Sequence, residues 1–400
     1  FIIRSMDKRS DGIKKRTALI IAALIIAPVL LSPVSSPVVQ TAENLIRVEN
    51  NMQEAVPEAA EDTPPPVPPA EIMQENSTQW VFPAISDSSI HMVVVESYGA
   101  VLFQRPEYRE HILKLYKKLQ PVLNYDGWTV KTGYVRSPAF GGRSWLADST
   151  LLTGIQIEDQ KTYDDLTASG EPAYLLSLMK SSGYTSFYAA PGSTRAADDW
   201  KKAYPFDTYI LRSDFGYEGP NVAFGTLTDQ FLFDTFADNH LGGEGKQFVF
   251  YLLVSSHTPF ERIPVFKEDW DFSLRGKEYS SGYIRYFENN WLTGNELAEG
   301  YLAGISYSIE TTLRYLTERL SDKEFMLIIG DHQPRRPVSP ADSGYPVIFH
   351  IVTPEKWKLN FPESWDLSSG LVPPELPEDH SGIPEMAAVT FLLEQLITQP

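Results

Sequence analysis

Beyond about residue 80 the chain carries five short, nearly continuous apolar runs, at residues 92–95, 184–190, 248–254, 325–329 and 347–352. Runs of this length with little alternation are the signature of strands in a parallel sheet, which are covered on both faces. Amphipathic segments lie between them. Leu302, Ile305, Ile309, Leu313, Leu316 and Leu320 recur at three- and four-residue spacing, which places them on one face and predicts a helix. Residues 172–182, 227–241 and 383–397 are further helical stretches. Strand and helix in alternation predict an α/β domain, a mainly parallel sheet with helices on both faces. Ligands of such sheets bind beyond the carboxyl ends of the strands, so those ends are where chemistry is sought.

The first eighty residues have a different pattern. Residues 18–31 (ALIIAALIIAPVLL) are apolar throughout, and six basic residues against two acidic ones precede them, a net charge of +4. Basic residues ahead of an apolar run place that flank in the cytoplasm and the chain beyond the run outside it. Read on to Val39, the run reaches the ~20 residues a bilayer core requires; a cleaved signal peptide is the alternative. A chain opening on Phe1 is expected to continue a longer one, with Phe1-Ile2-Ile3 as the end of an earlier membrane helix. Next comes an acidic, proline-rich stretch (VPEAAEDTPPPVPPAE) that buries too little apolar surface to fold and reads as a spacer. The predicted organisation is a basic flank and transmembrane segment at 1–41, a linker at 42–79 and an extracytoplasmic domain at 80–400.

Composition narrows the chemistry. The 400 residues include no cysteine, which excludes disulfides, thiolate metal sites and Cys nucleophiles. A net charge of −18, or −22 once the N-terminal flank is set aside, argues against nucleic acid as a partner, because backbone binding needs clustered Lys and Arg.

Three of the apolar runs end in groups that bind cations: Glu96 in HMVVVESYG, His257 in FYLLVSSHTPF, and Asp331-His332 in FMLIIGDHQP. Any one of them can be a capping or loop residue. Together, at corresponding strand ends, two carboxylates and an imidazole suit Zn²⁺ or Mn²⁺. The loop SPAFGGRSWLADSTLLTG adds Ser144 at a helix entry behind Gly141 and Gly142. A serine there is an N-cap by its commonest role, or a nucleophile and metal ligand if a dication stabilises its alkoxide. The esterase elbow G-x-S-x-G is not matched, since the local sequence is G-R-S-W-L.

The order VVVESYG, GGRS with a following helix, GYTSFYAAPG, SSHTPF and GDHQP resembles the sulfatase-like branch of the alkaline phosphatase superfamily. Within it the pattern is most similar to lipoteichoic acid synthases and phosphoethanolamine transferases, over roughly residues 90–399. The resemblance implies an alkaline phosphatase-like fold. It also implies a catalytic divalent metal, Mn²⁺ or Zn²⁺ with Mg²⁺ or Ca²⁺ as substitutes, on Glu96, Ser144, Asp331 and His332. Ser144 would be the nucleophile, and His257 would contact the transferred phosphate or protonate the leaving group. Arg195 in PGSTRAADDW is a further candidate for phosphate contact, with Trp200 beside it, and His380 is either a second active-site histidine or an exposed loop residue. Serine replaces the usual threonine, and Gln-Pro follows Asp331-His332 where many phosphoethanolamine transferases carry Gly-Glu. The function implied is phosphoryl transfer or hydrolysis through a seryl-phosphate, outside the cytoplasmic membrane, on a phospholipid headgroup or phosphorylated glycan. A phosphatase, a sulfatase or a catalytically inert envelope-binding module are the alternatives. The aromatic stretch 260–295 is read either as a lip over the site or at the membrane surface, or as ordinary packing.

Overall fold

The apolar runs become the centre of a sheet. The computed structural model describes residues 88–194, 196–243, 245–288, 295–340, 342–357, 359 and 361–398. In chain order the elements are β1 (Ser89–Val95), α1 (Val101–Gln104), α2 (Pro106–Tyr125), β2 (Trp128–Arg136), α3 (Ser144–Thr153), α4 (Gln160–Ser169), α5 (Tyr174–Ser181), β3 (Thr185–Ala190), α6 (Asp198–Ala203) and β4 (Thr208–Leu211). They continue with α7 (Asp229–His240), β5 (Gln247–Leu253), β6 (Arg262–Pro264), β7 (Ile284–Tyr286), α8 (Asn295–Arg319), β8 (Glu324–Gly330), β9 (Pro346–Pro354), β10 (Ser368–Ser369) and α9 (Ala388–Thr398). The expected membrane segment and linker lie outside the described residues, among which no helix is long and apolar enough to cross a membrane.

Eight strands form one sheet in the order β10-β2-β9-β8-β1-β5-β3-β4. The five from β8 to β4 are parallel, as the unalternating runs predict. Successive side chains of β1 go to opposite cores. Val93 and Val95 meet α2, α7 and α8, while Ile90, Met92 and Val94 meet α3, α5 and α9. Full burial of each such residue contributes about 1.5–3 kcal/mol, which is why neither face tolerates polar alternation. The helix predicted over 302–320 is α8, and its Ile305, Ile309, Leu313 and Leu316 are almost fully buried.

One expectation changes, and one of two alternatives is decided. The run at 347–352 is β9, and it pairs antiparallel with both β8 and β2. Only a loop, with no crossover helix, joins β8 to β9, and a parallel return requires a crossover. The stretch 260–288 is mainly core: Phe260, Ile263, Phe272 and Tyr279 are buried in the layer that holds α7 and α8, and Tyr286 alone among its tyrosines is mostly exposed. Trp291 lies outside the described residues.

Candidate functional site

The pairing of β1 with β8 sets Val95 opposite Gly330, so the next residue of each strand, Glu96 and Asp331, emerges side by side. Their approach needs glycine. A Cβ at Gly330 would lie 2.1 Å from the carbonyl oxygen of Tyr98. Asp331 is locked by two backbone N–H groups, those of Ser97 and His332, each 2.7 Å from its Oδ1. Glu96 is held through its own carbonyl, which accepts from Ser256 Oγ at 2.7 Å, and through Ser97 Oγ, which donates to its Oε1 at 3.2 Å.

Ser144 arrives from the other side of the site. The loop after β2 turns through Gly141 (φ 66°), Gly142 (φ 144°) and Arg143 (φ 63°), and Gly141 N–H donates to the carbonyl of Gln333 at 3.0 Å. That bond ties the serine loop to the residue following His332. Arg143 is the N-cap of α3 and Ser144 the first helical residue, with no side-chain capping bond, so the N-cap role open to this serine is not the one it fills. Its hydroxyl instead donates to Glu96 Oε2 at 3.1 Å and lies 3.2 Å from His332 Nε2.

The three ligand-type side chains, Glu96, Asp331 and His332, are buried and offer one atom each within 4.8 Å of one another. His332 Nε2 is 3.3 Å from Glu96 Oε1 and 3.4 Å from Asp331 Oδ2. Its Nδ1–H donates to the carbonyl of Gln333 at 2.8 Å, which turns the Nε2 lone pair inward. One nitrogen therefore faces the serine and both carboxylates. A Ser-His-Asp relay needs the carboxylate on the opposite ring nitrogen, so this is the arrangement of ligands around a common point.

Charge crowding marks the same point. Burial and then the Glu96 carboxylate push Asp331 up to about 7. Burial alone would lower His332, but the carboxylates of Asp331 and Glu96 hold it above the ordinary imidazole range. Two carboxylates, an imidazole and a hydroxyl converging in a dry site fit a divalent cation of the Zn²⁺ or Mn²⁺ type.

His257 comes after β5 and flanks the cluster, within reach of the charges of Asp331, His332 and Arg335. Burial lowers its ring below the usual range, and Nδ1 donates to the Thr258 carbonyl at 2.5 Å, which leaves Nε2 as the free nitrogen. Arg195 lies outside the described residues. Trp200 packs on Tyr188 and Tyr204, with ring centroids 5.0 and 4.8 Å away. His380 sits apart from the cluster, half-buried beside Gln104. His91 and His350 are fully buried and hydrogen-bonded, the first to Tyr251 and Glu324, the second to Tyr98 and Thr132.

Two residues not singled out in the sequence belong to this neighbourhood. Asp148 is one helical turn beyond Ser144, its Oδ1 is shut from solvent without a partner, and burial together with Asp331 and Glu96 raises its carboxyl well above the ordinary range. The i, i+4 spacing from Ser144 was the available signal. Phe224 packs against His257 with ring centroids 4.4 Å apart and the planes tilted by 47°, is 56% exposed, and holds a left-handed backbone (φ 53°, ψ 20°) rare for a bulky side chain. Nothing local in the sequence announces it.

Solved structures resemble the chain at low sequence identity. Similar chains include the lipoteichoic acid synthase LtaP from Listeria monocytogenes (16% identity, 69% of each chain covered, TM-score 0.46). The C-terminal periplasmic domain of EptC from Escherichia coli shows 15% identity over 79% of this chain and 84% of its own, with a TM-score of 0.49. The phosphoglycerol transferase GacH from Streptococcus pyogenes, in complex with sn-glycerol-1-phosphate, shows 13% identity over 79% and 80%, with a TM-score of 0.46. No family model and no curated protein matches the chain. At these identities and TM-scores the likeness assigns no residue; residue roles rest on the chain's own geometry.

Proposed function

We propose that the protein is a phosphoryl-group transferase or hydrolase that works through a seryl-phosphate on Ser144, outside the cytoplasmic membrane. The observation that carries this reading is the meeting of Ser144 Oγ with Glu96, Asp331 and His332 around one point. Glu96, Asp331, His332 and Ser144 would hold a divalent cation, which when bound supplies positive charge to the serine alkoxide and to a phosphoryl oxygen.

Ser144 Oγ attacks phosphorus in line. The new O–P bond forms as the P–O bond to the departing alcohol breaks, and the alcohol takes a proton from water. Glu96 Oε2, already 3.1 Å away, is the first acceptor for the serine proton. The ring of His257 enters neutral with Nε2 free, which suits accepting a proton from the incoming hydroxyl in the second step better than protonating the first leaving group. That hydroxyl, of water or a glycan, displaces Ser144, Glu96 returns the proton that regenerates the serine hydroxyl, and the proton left on His257 passes to solvent, replacing the one the first alcohol took. The basic flank, apolar run and proline-rich spacer support a phospholipid headgroup or phosphorylated envelope glycan as substrate.

The test is incubation of the purified chain with Mn²⁺ or Zn²⁺ and labelled phospholipids or phosphate esters, followed by mapping of phosphoserine. Label on Ser144 in wild type and none in Ser144→Ala, at unchanged melting temperature, is the expected outcome. Turnover by Ser144→Ala equal to wild type would sink the nucleophile assignment.

A further inference from the structure

The turn that follows β1 rests on one residue. Ser97 is buried and holds a left-handed backbone (φ 61°). Its N–H donates to Asp331 Oδ1 at 2.7 Å and its hydroxyl donates to Glu96 Oε1 at 3.2 Å. Its carbonyl accepts from Gly99 N–H at 2.9 Å and from the Tyr301 hydroxyl at 3.1 Å. Ser97 thus touches both carboxylates of the cluster and is itself held through its carbonyl.

A serine does not favour that backbone. In the left-handed region Cβ crowds the carbonyl oxygen, and glycine alone adopts it freely. With β1 fixed before the turn and α1 after it, a change of φ at Ser97 turns the peptide between Glu96 and Ser97 and takes its N–H off Asp331. The bond from Tyr301 opposes that relaxation, and it comes from a residue 204 positions away.

The helix carrying Tyr301 is seated for this contact. Gly300 and Gly304 of α8 face the chain that follows β5: a Cβ at Gly300 would lie 2.3 Å from the Phe260 carbonyl oxygen, and one at Gly304 3.2 Å from Ser256 Cα. Tyr301 is fully buried, its ring packed on Phe260 and Tyr108 with centroids 5.5 and 6.0 Å away. A phenol buried among rings needs a partner for its hydroxyl, and the Ser97 carbonyl is that partner.

We infer that Tyr301 is a positioning residue: its hydroxyl holds Ser97 in the left-handed turn that aims an N–H at Asp331 and a hydroxyl at Glu96, and so presets the cation site proposed above. The consequence for a cation rests on that reading of the cluster, while the tether belongs to the metal-free chain.

A double-mutant cycle on the full chain tests it. Tyr301→Phe removes the hydroxyl and keeps the ring, and Ser97→Gly removes the need for a tether, because glycine holds a positive φ unaided. In hydrogen-exchange mass spectrometry of the metal-free protein, resolved at residue 97, Tyr301→Phe should speed exchange of that amide at least about tenfold. In the Ser97→Gly background the same substitution should change it less than about threefold. Calorimetric titration with Mn²⁺ should give the same contrast, Kd rising at least about tenfold in the first background and less than about threefold in the second. A ring that only fills space would cost the same in both. Equal effects in the two backgrounds, or exchange at residue 97 that Tyr301→Phe leaves unchanged, would overturn the positioning role. If Tyr301→Phe melts early, adding Ser97→Gly should recover part of the loss, and no recovery overturns it too. A wild-type chain that binds neither Mn²⁺ nor Zn²⁺ removes the metal reading alone, and hydrogen exchange still decides the tether.

Discussion

Asp331→Asn offers a test of the cluster that needs no substrate. Asp331 stands at about 7 in the folded protein against an ordinary 3.8, because it is buried beside Glu96. A carboxyl whose folded value is raised contributes stability below its unfolded value, and that contribution is lost as pH rises through the folded value. At pH 6, one unit below 7, the proton still stabilises the metal-free fold by about RT ln 11, or about 1.4 kcal/mol; at pH 8 the contribution is about 0.1 kcal/mol. Buried His257 and His350 have lowered values and titrate the opposite way, so the wild-type melting curve alone does not isolate the effect. The difference between wild type and Asp331→Asn does, because those histidines cancel. The amide keeps an Oδ1 for the N–H groups of Ser97 and His332 but cannot ionise. Without metal, wild type should lose about 1.4 kcal/mol relative to the variant between pH 6 and pH 8. With an entropy of unfolding of roughly 0.6 kcal/mol/K for a domain of this size, that is a shift of about 2 °C. Losing the carboxylate also lowers His332, which adds in the same direction. Saturating Mn²⁺ or Zn²⁺ should reverse the trend for wild type, since the cation takes the place of the proton, and should do much less for the variant. A wild-type-minus-variant difference that is flat or grows with pH, together with equal metal stabilisation of both proteins, would refute the convergence of charge at this point.

Two further outcomes are expected in the same neighbourhood. Phe224→Gly should melt within about 1 kcal/mol of wild type or higher, because left-handed strain of about 1–2 kcal/mol is relieved against glycine's entropy, while turnover falls about tenfold and the His257 ring resonances shift by NMR; Phe224→Tyr should restore both, and unchanged resonances in the glycine variant would deny the positioning role. Asp148→Asn should stabilise the metal-free protein more at pH 8 than at pH 5, since its carboxyl is raised and its charged form is the costly one; a destabilised variant at pH 8 in thermal melts would mean that Asp148 has a partner the geometry does not show.

Local pattern alone determined the alternation of strands and helices here, because a strand covered on both faces has to be apolar at every position and a helix covered on one has to repeat every three to four residues. It also determined which residue types stand at the strand ends, so Glu96, Asp331, His332 and Ser144 were legible as ligand chemistry from residue type and position. Only the tertiary structure decided that these residues meet. Convergence depends on the register of Val95 against Gly330 and on the bond from Gly141 to the Gln333 carbonyl, and register is a property of two segments more than two hundred residues apart. The direction of β9 was hidden for the same reason, since an apolar run looks alike in either orientation. The burial of the Asp148 carboxyl and the backbone of Phe224 left the least trace in the sequence. Each is defined by what surrounds it in space, and a polar residue in sequence gives no sign of whether its hydrogen bonds will be made.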